Sequence, residues 1–189
     1  MLLPAATAGV VLAASLVVRR RRLERLEWRK AEGAAGKARV EVRSGTQGDL
    51  GEIAALVRAL ARFEHSEDKV STTAETLLRD AHLFETAVAL RSDGTLVGFA
   101  FFSYGYSTWA GRTLALDDLF VAEPCRGQGI GSRLLAFVAE RGVRAGANRM
   151  EWLSFRWNER ANMFYTSRGA TRQDALYYWR LSEKGMKLL

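Results

Sequence analysis

The sequence predicts a mixed α/β domain, a mostly antiparallel sheet with helices on its faces. Three observations predict it. An apolar stripe at helical spacing opens the region after residue 47. Three strand-like runs then follow one another between residues 85 and 122, joined by tight turns. Past residue 126, helical and strand patterns alternate.

The elements come in this order. Residues 40–43 (VEVR) alternate as a short strand. Residues 48–62 place Leu50, Ile53, Ala54, Leu56, Val57 and Leu60 on one helical face. Thr72 and Glu75 read as a capping box for a second helix reaching Leu83. Residues 85–91 (ETAVALR) and 95–104 (TLVGFAFFSY) form strands around Ser92-Asp93-Gly94, a strong hairpin signal. Residues 112–122 form a third strand after the bend Trp109-Ala110-Gly111. Residues 131–145 read as a helix, 150–155 as a strand, 159–168 as a helix ending at Gly169, and 175–181 (ALYYWRL) as a last strand.

The 189 residues suffice for one domain with a full core, and 48% hydrophobic with 26% charged residues is a globular balance. Cys125 is the only cysteine, which excludes an internal disulfide and fits a reducing, cytoplasmic compartment. His65 and His82 lack metal-ligand spacing, so no metal is expected. Residues 1–41 hold nine Lys or Arg and four Asp or Glu, whereas the rest is nearly neutral. A nucleic-acid partner would have to rest on that arm alone, and none is expected.

Residues 1–39 form a separate arm. Residues 1–18 carry no charge, and Arg19, Arg20, Arg21 and Arg22 follow. As a helix, 18 residues reach about 27 Å, marginal for a bilayer core of about 30 Å. Arginines placed after the apolar run would stay cytosolic, which makes the arm a candidate membrane anchor with the domain facing the cytosol. An organelle-targeting segment or a dispensable extension is the alternative. Residues 32–38 (EGAAGKA) read as a linker into the domain at 40–189.

The stretch CRGQGIGS (125–132) joins an apolar strand to a helix. A dinucleotide fingerprint needs G-x-G-x-x-G; here Gly127, Gly129 and Gly131 are spaced G-x-G-x-G. A nucleoside-triphosphate loop needs Gly-Lys-Ser/Thr, and no lysine follows Gly131. What remains is a glycine turn opening a helix, whose amides and partial positive charge suit a diphosphate.

Just before it, Asp117 and Asp118 interrupt the apolar run LALDDLFV. Burying carboxylates is costly unless they are paired or used. A regular strand would send the two to opposite faces. A lone Asp there would more readily be a strand-end group meeting solvent or an Arg; an adjacent pair beside this loop points to function.

The loop Arg126-x-x-Gly129-x-Gly131 after a strand resembles the acetyl-coenzyme A loop of the GNAT N-acetyltransferases. Five collinear runs are similar to the spermidine/spermine branch of that family, thialysine acetyltransferases included: ALARFEHSEDKV (59–70), VGFAFFSYGYSTW (97–109), LDDLFV (116–121), RGQGIGS (126–132) and WNERANMFYTSRGA (157–170). The resemblance covers residues 40–181 and leaves out the arm.

The resemblance implies the GNAT fold, with a splayed strand pair at the acetyl-CoA site. It implies acetyl-CoA contacts from the backbone of Leu119, Phe120 and Val121, from Arg126, Gly127, Gln128, Gly129, Ile130, Gly131 and Ser132, and from Asn158, Glu159, Arg160 and Ala161. Asp117 stands where the resembled enzymes carry a glutamate base, one methylene longer. Tyr165 stands where they carry the acid that protonates the leaving thiolate. The phenol's ordinary pKa of about 10 is close to that of a thiol, so the transfer is nearly balanced. Packing beside Phe164 is the competing reading of Tyr165. Asn158 is also a candidate helix N-cap.

The substrate channel implied by the resemblance holds Phe63, Glu64, Trp109, Asp118, Glu151, Trp152, Leu153 and Trp179, acids and aromatic faces that suit a small cationic amine. Where polyamine-type relatives often carry Asp-Pro-Trp, this chain has Ser107-Thr108-Trp109. The resemblance implies acetyl transfer from acetyl-CoA to a small polyamine or diamine or to a lysine-like amino acid; the missing acid weakens the case for a long tetravalent amine and leaves shorter diamines or lysine-like amino acids such as thialysine in play. A homodimer with exchanged C-terminal segments, Lys187 among them, is implied as well. Two alternatives stay open: acetylation of a protein lysine or N-terminus, and a non-catalytic acetyl-CoA-binding module.

Overall fold

A computed structural model describes residues 40–189, so the arm and its candidate anchor lie outside the described residues. Among the described residues no helix is long and apolar enough to cross a membrane. The chain divides after Trp152 into two compact units.

The first unit carries a sheet of order β1-β2-β3-β4-β5. β1 is Glu41–Ser44, β2 Glu85–Leu90, β3 Leu96–Ser107, β4 Gly111–Val121 and β5 Arg149–Glu151. The first four strands pair antiparallel as the expected meander, and β5 runs parallel to β4. Helix α1 (Leu50–Phe63) precedes β2, as does the short α2 (Ala74–Arg79). Helix α3 (Ile130–Arg144) makes the crossover from β4 to β5. This is the mixed α/β architecture the patterning predicts.

The apolar stripe of α1 explains its seat. Leu50 and Ile53 pack with Leu77 of α2 and with Val88, Leu96, Phe99 and Phe120 on one face of the sheet. Each such side chain contributes about 1.5–3 kcal/mol when fully buried. α3 covers the other face, where Leu134, Leu135 and Val138 are buried. The start of α1 is pinned to β1 by Asp49, whose carboxylate accepts from Arg43 Nη1 and Nη2 at 2.8 and 2.9 Å. It also accepts from the Thr46 amide and hydroxyl at 2.7 and 2.8 Å. The guanidinium beside Asp49 holds its carboxyl far below the usual carboxylate range.

Three expectations need correction. The cap of α2 is Thr73 with Thr76, not Thr72 with Glu75: the two hydroxyls and amides bond reciprocally, and the helix stops at Arg79. The strand expected over 150–155 is only Arg149–Glu151, because its ladder ends where Ala115 faces Glu151. β4 beyond Ala115 has no strand beside it on that edge among the described residues.

The second unit is Leu153–Leu189. It holds α4 (Glu159–Thr166) and α5 (Glu183–Met186). The strand expected over 175–181 does not form: those residues adopt turn and irregular structure, and Tyr177 and Trp179 are both 86% exposed. Alternating residues mark a segment able to extend, but a strand exists only where a neighbour completes its hydrogen bonds.

Candidate active site

β4 leads through a short 3-10 turn, Glu123–Cys125, into the glycine loop. Gly127 and Gly129 have φ of +81° and +78°, left-handed conformations that glycine adopts without strain. An added Cβ at either would meet no protein atom within 4 Å, so backbone shape rather than crowding demands glycine. Gly129 is the N-cap of α3, and no side chain caps the helix. The first amides of a helix have no intrahelical acceptor, so this turn presents N–H groups with partial positive charge to an anion. Ile130 is buried and anchors the turn, while Gly127 and Gln128 are exposed; Gly131 and Ser132 are half-buried in the first turn of α3.

Arg126 does something the motif alone does not reveal. Its Nε donates to the Val121 carbonyl at 2.9 Å. Its guanidinium lies 4.8 Å from the Phe63 ring centroid and 5.6 Å from that of Phe120. It therefore fastens the loop to the end of β4 and to the end of α1. The Phe120 side chain is buried in the core, so only its backbone could serve a cofactor.

The register between β3 and β4 shows what the strand does at the carboxylates. Phe102 faces Leu116 and Phe101 faces Asp118, so Asp117 is an extra residue in β4. This is a β-bulge. Cross-strand partners share a face. Leu116 thus points with Phe102 toward α3, whereas Asp118 points with Phe101 toward α1. Alternation from Leu116 places Asp117 on the α1 face too. The expectation of opposite faces is overturned: the bulge turns both carboxylates to one side.

Glu64 joins them from the end of α1, where His65 turns the chain with a φ of +53°. Burial pushes the Glu64 and Asp117 carboxyls up from their ordinary values. The Asp118 carboxyl is pushed up to about 6, first by burial, then by the negative charges of Asp117 and Glu64.

Other expected substrate residues sit differently. Trp109 is at the tip of the β3–β4 hairpin and 96% exposed. Six residues of strand separate it from Asp117's end of β4, about 20 Å at the usual rise. The structure therefore does not bring Trp109 to the carboxylates. Glu151 ends β5 opposite Ala115, is exposed, and pairs with Arg149 at 3.1 Å. Trp152 is half-buried.

In the second unit, Asn158 caps α4 as expected, its Oδ1 accepting from the Ala161 amide at 3.2 Å. Glu159 and Arg160 are exposed in the first turn. Tyr165 lies on the last turn of α4 and meets Phe164 edge-on, with centroids 5.3 Å apart. Sequence reasoning missed Asn162. Its Nδ2 donates to the carbonyls of Phe155 and Arg156, and its Oδ1 accepts from Ser154, which fixes the segment entering the helix. An Asn four residues after a capping Asn was the available signal. Leu153 and Trp179 are exposed in this unit.

Residues 52–170 match the acetyltransferase (GNAT) family. The chain belongs to the GNAT family. It is therefore an acyltransferase, of a family that uses acetyl-CoA to acetylate amines. It is 32% identical over 164 residues to the thialysine N-epsilon-acetyltransferase of Bos taurus, which covers 79% of this chain and 96% of that one. It is 34% identical over 151 residues to the human spermidine/spermine N(1)-acetyltransferase-like protein 1, covering 75% of this chain and 22% of the longer relative. Among solved structures, an aminoglycoside N-acetyltransferase in complex with CoA superposes with a TM-score of 0.63 at 18% identity, covering 78% of this chain and 97% of that one. At that identity the likeness speaks for the fold. The GNAT fold expected from the motifs is the fold observed.

Proposed function

We propose that this chain transfers the acetyl group of acetyl-CoA to a primary amine of a small cationic molecule, a short diamine or a lysine-like amino acid such as thialysine. One observation carries the reading. Glu64, Asp117 and Asp118 form an anionic group on the α1 face of β4. The Arg126 clamp ties that strand end to the anion-binding turn. Carboxylates attract a substrate with more than one ammonium.

In this reading the amides of residues 127–132 hold the diphosphate, and the unpaired edge of β4 at Leu119 and Val121 receives the pantetheine arm. Asn158 to Ala161 add contacts from the start of α4. A carboxylate of the β4 pair takes the ammonium proton, which frees the lone pair that attacks the thioester carbonyl. Tyr165 returns a proton to the departing sulfur. Support for Tyr165 comes from its place in the resembled motif and from the similarity to named acetyltransferases.

The exposed apolar run at Leu176, Tyr177, Tyr178 and Trp179 supports a homodimer built through the C-terminal segment. The lone cysteine and the position of the arginines after residue 18 support a cytoplasmic domain, tethered or free.

The test is thiol release from acetyl-CoA with thialysine, lysine, putrescine and spermidine. Turnover with a short diamine or thialysine supports the reading. No turnover with any of them, alongside acetylation of a peptide lysine or N-terminus, would transfer the activity to a protein substrate.

A further inference from the structure

We infer that Asp118, rather than Asp117, is the base that removes the ammonium proton in this chain, with Asp117 and Glu64 as its anionic neighbours. The inference rests on the amine-acetylation reading above and names the group that performs its first step.

The bulge carries the argument. In an unbroken strand, one of two adjacent carboxylates would enter the α3 side of the sheet. Here the extra residue puts both on the α1 side but gives them different surroundings. Asp117 is the unpaired residue of the bulge and is exposed. Asp118 is the residue in register, with Phe101 across the strand and Phe120 next on its own face. Asp117 on the same strand and Glu64 from the end of α1 are negative. The cation Arg126 lies over the rings of Phe63 and Phe120. Glu151, beside Ala115, is exposed and paired with Arg149.

Chemistry then separates the two aspartates. Burial raises the proton affinity of both aspartates, but only Asp118 is also raised by two neighbouring negative charges, which brings it closer to an ammonium of pKa about 10. Burial beside two other acids makes a carboxylate a better proton acceptor. Asp117 is also shorter than the glutamate that the resembled enzymes place at its position, so its reach is reduced where Asp118 is already inward.

The proton balance is simple. The ammonium N–H bond breaks and its proton passes to a carboxylate oxygen of Asp118. The freed lone pair forms the C–N bond at the thioester carbonyl. The C–S bond breaks as the tetrahedral intermediate collapses. The second proton lost by nitrogen ends on the departing sulfur, and the proton on Asp118 returns to solvent. The products are the acetamide, free thiol and one released proton.

The test measures kcat and kcat/KM against pH, on the best amine of the panel, for the unaltered chain and for Asp118→Asn, Asp117→Asn and Glu64→Gln. In the unaltered chain, kcat/KM should rise with pH through an apparent pKa near 6. Asp118→Asn should lower kcat by at least about 100-fold and remove that limb. Asp117→Asn should lose less than about tenfold in kcat and move the limb to lower pH, as should Glu64→Gln, because each deletes a neighbouring negative charge. A carbon-13 titration of the Asp118 carboxyl, which needs no turnover, should show the same midpoint and the same downward shift. Loss of turnover in Asp117→Asn with Asp118→Asn still active, or an Asp118 carboxyl titrating near 4, overturns the assignment while leaving the amine reading intact. An unaltered chain that turns over no amine overturns the underlying reading instead, and the assignment with it.

Discussion

Replacing Asp118 by Asn should make the folded chain more stable at neutral pH, even as it removes the proposed base. The folded state holds the Asp118 proton up to about 6 against an ordinary 3.8. Between those two values the folded state binds more protons than the unfolded state, so stability falls as pH rises. Below about 3 the carboxyl is neutral in both states and the penalty is absent. Above about 6 the penalty is complete. At about 1.36 kcal/mol per pH unit, a shift of about two units costs up to about 3 kcal/mol. Asn keeps the shape and escapes the penalty. Urea melts followed by circular dichroism should find the variant about 2–3 kcal/mol more stable at pH 8, roughly 4–12 °C in melting temperature for a chain of this size. The difference should shrink to about 0.5 kcal/mol at pH 4 and close by about pH 3. Asp49, whose depressed proton affinity works in the other direction, is present in both chains and cancels in the comparison. A difference that stays constant from pH 4 to 8, or a variant less stable at pH 8, would refute the claim that Asp118 is buried among acids.

Three further outcomes follow from the same geometry. Tyr165→Phe should lower kcat by about 100-fold while leaving CoA affinity unchanged, as read by calorimetry; equal rates would remove the acid role. Gly129→Ala should cost about 1–2 kcal/mol of stability from left-handed strain and raise the KM for acetyl-CoA, since φ there is +78°. Arg126→Gln should loosen both the loop and Phe63, raising the KM values for acetyl-CoA and amine together by several-fold, with kcat less affected.

Much of the fold was legible because its signals are local. The Asp93-Gly94 turn, the stripe of α1 and the Asn158 cap each sit within a few residues of what they determine. The cap of α2 was misplaced by one residue, since Thr72 and Thr73 are adjacent and only the bonded Thr76 hydroxyl separates them. The bulge could not be read, because LALDDLFV looks the same whether or not β3 skips a residue opposite it. For that reason the different settings of Asp117, the extra residue, and Asp118, the one paired with Phe101, were not legible. The run 175–181 looked like a strand because alternation reports side chains and not the neighbour a strand needs. Trp109 lies at the far end of the β3–β4 hairpin from Asp117, with six strand residues between them.

The central claim is that the bare amides from 127 to 131 hold the diphosphate of coenzyme A beside the acidic end of β4. Titration of nitrogen-15-labelled protein with coenzyme A tests it directly. The account predicts that the largest amide shifts fall on Gly127, Gln128, Gly129, Ile130 and Gly131, with smaller ones at Leu119 and Val121. Saturable binding that leaves those five amides unmoved would contradict it.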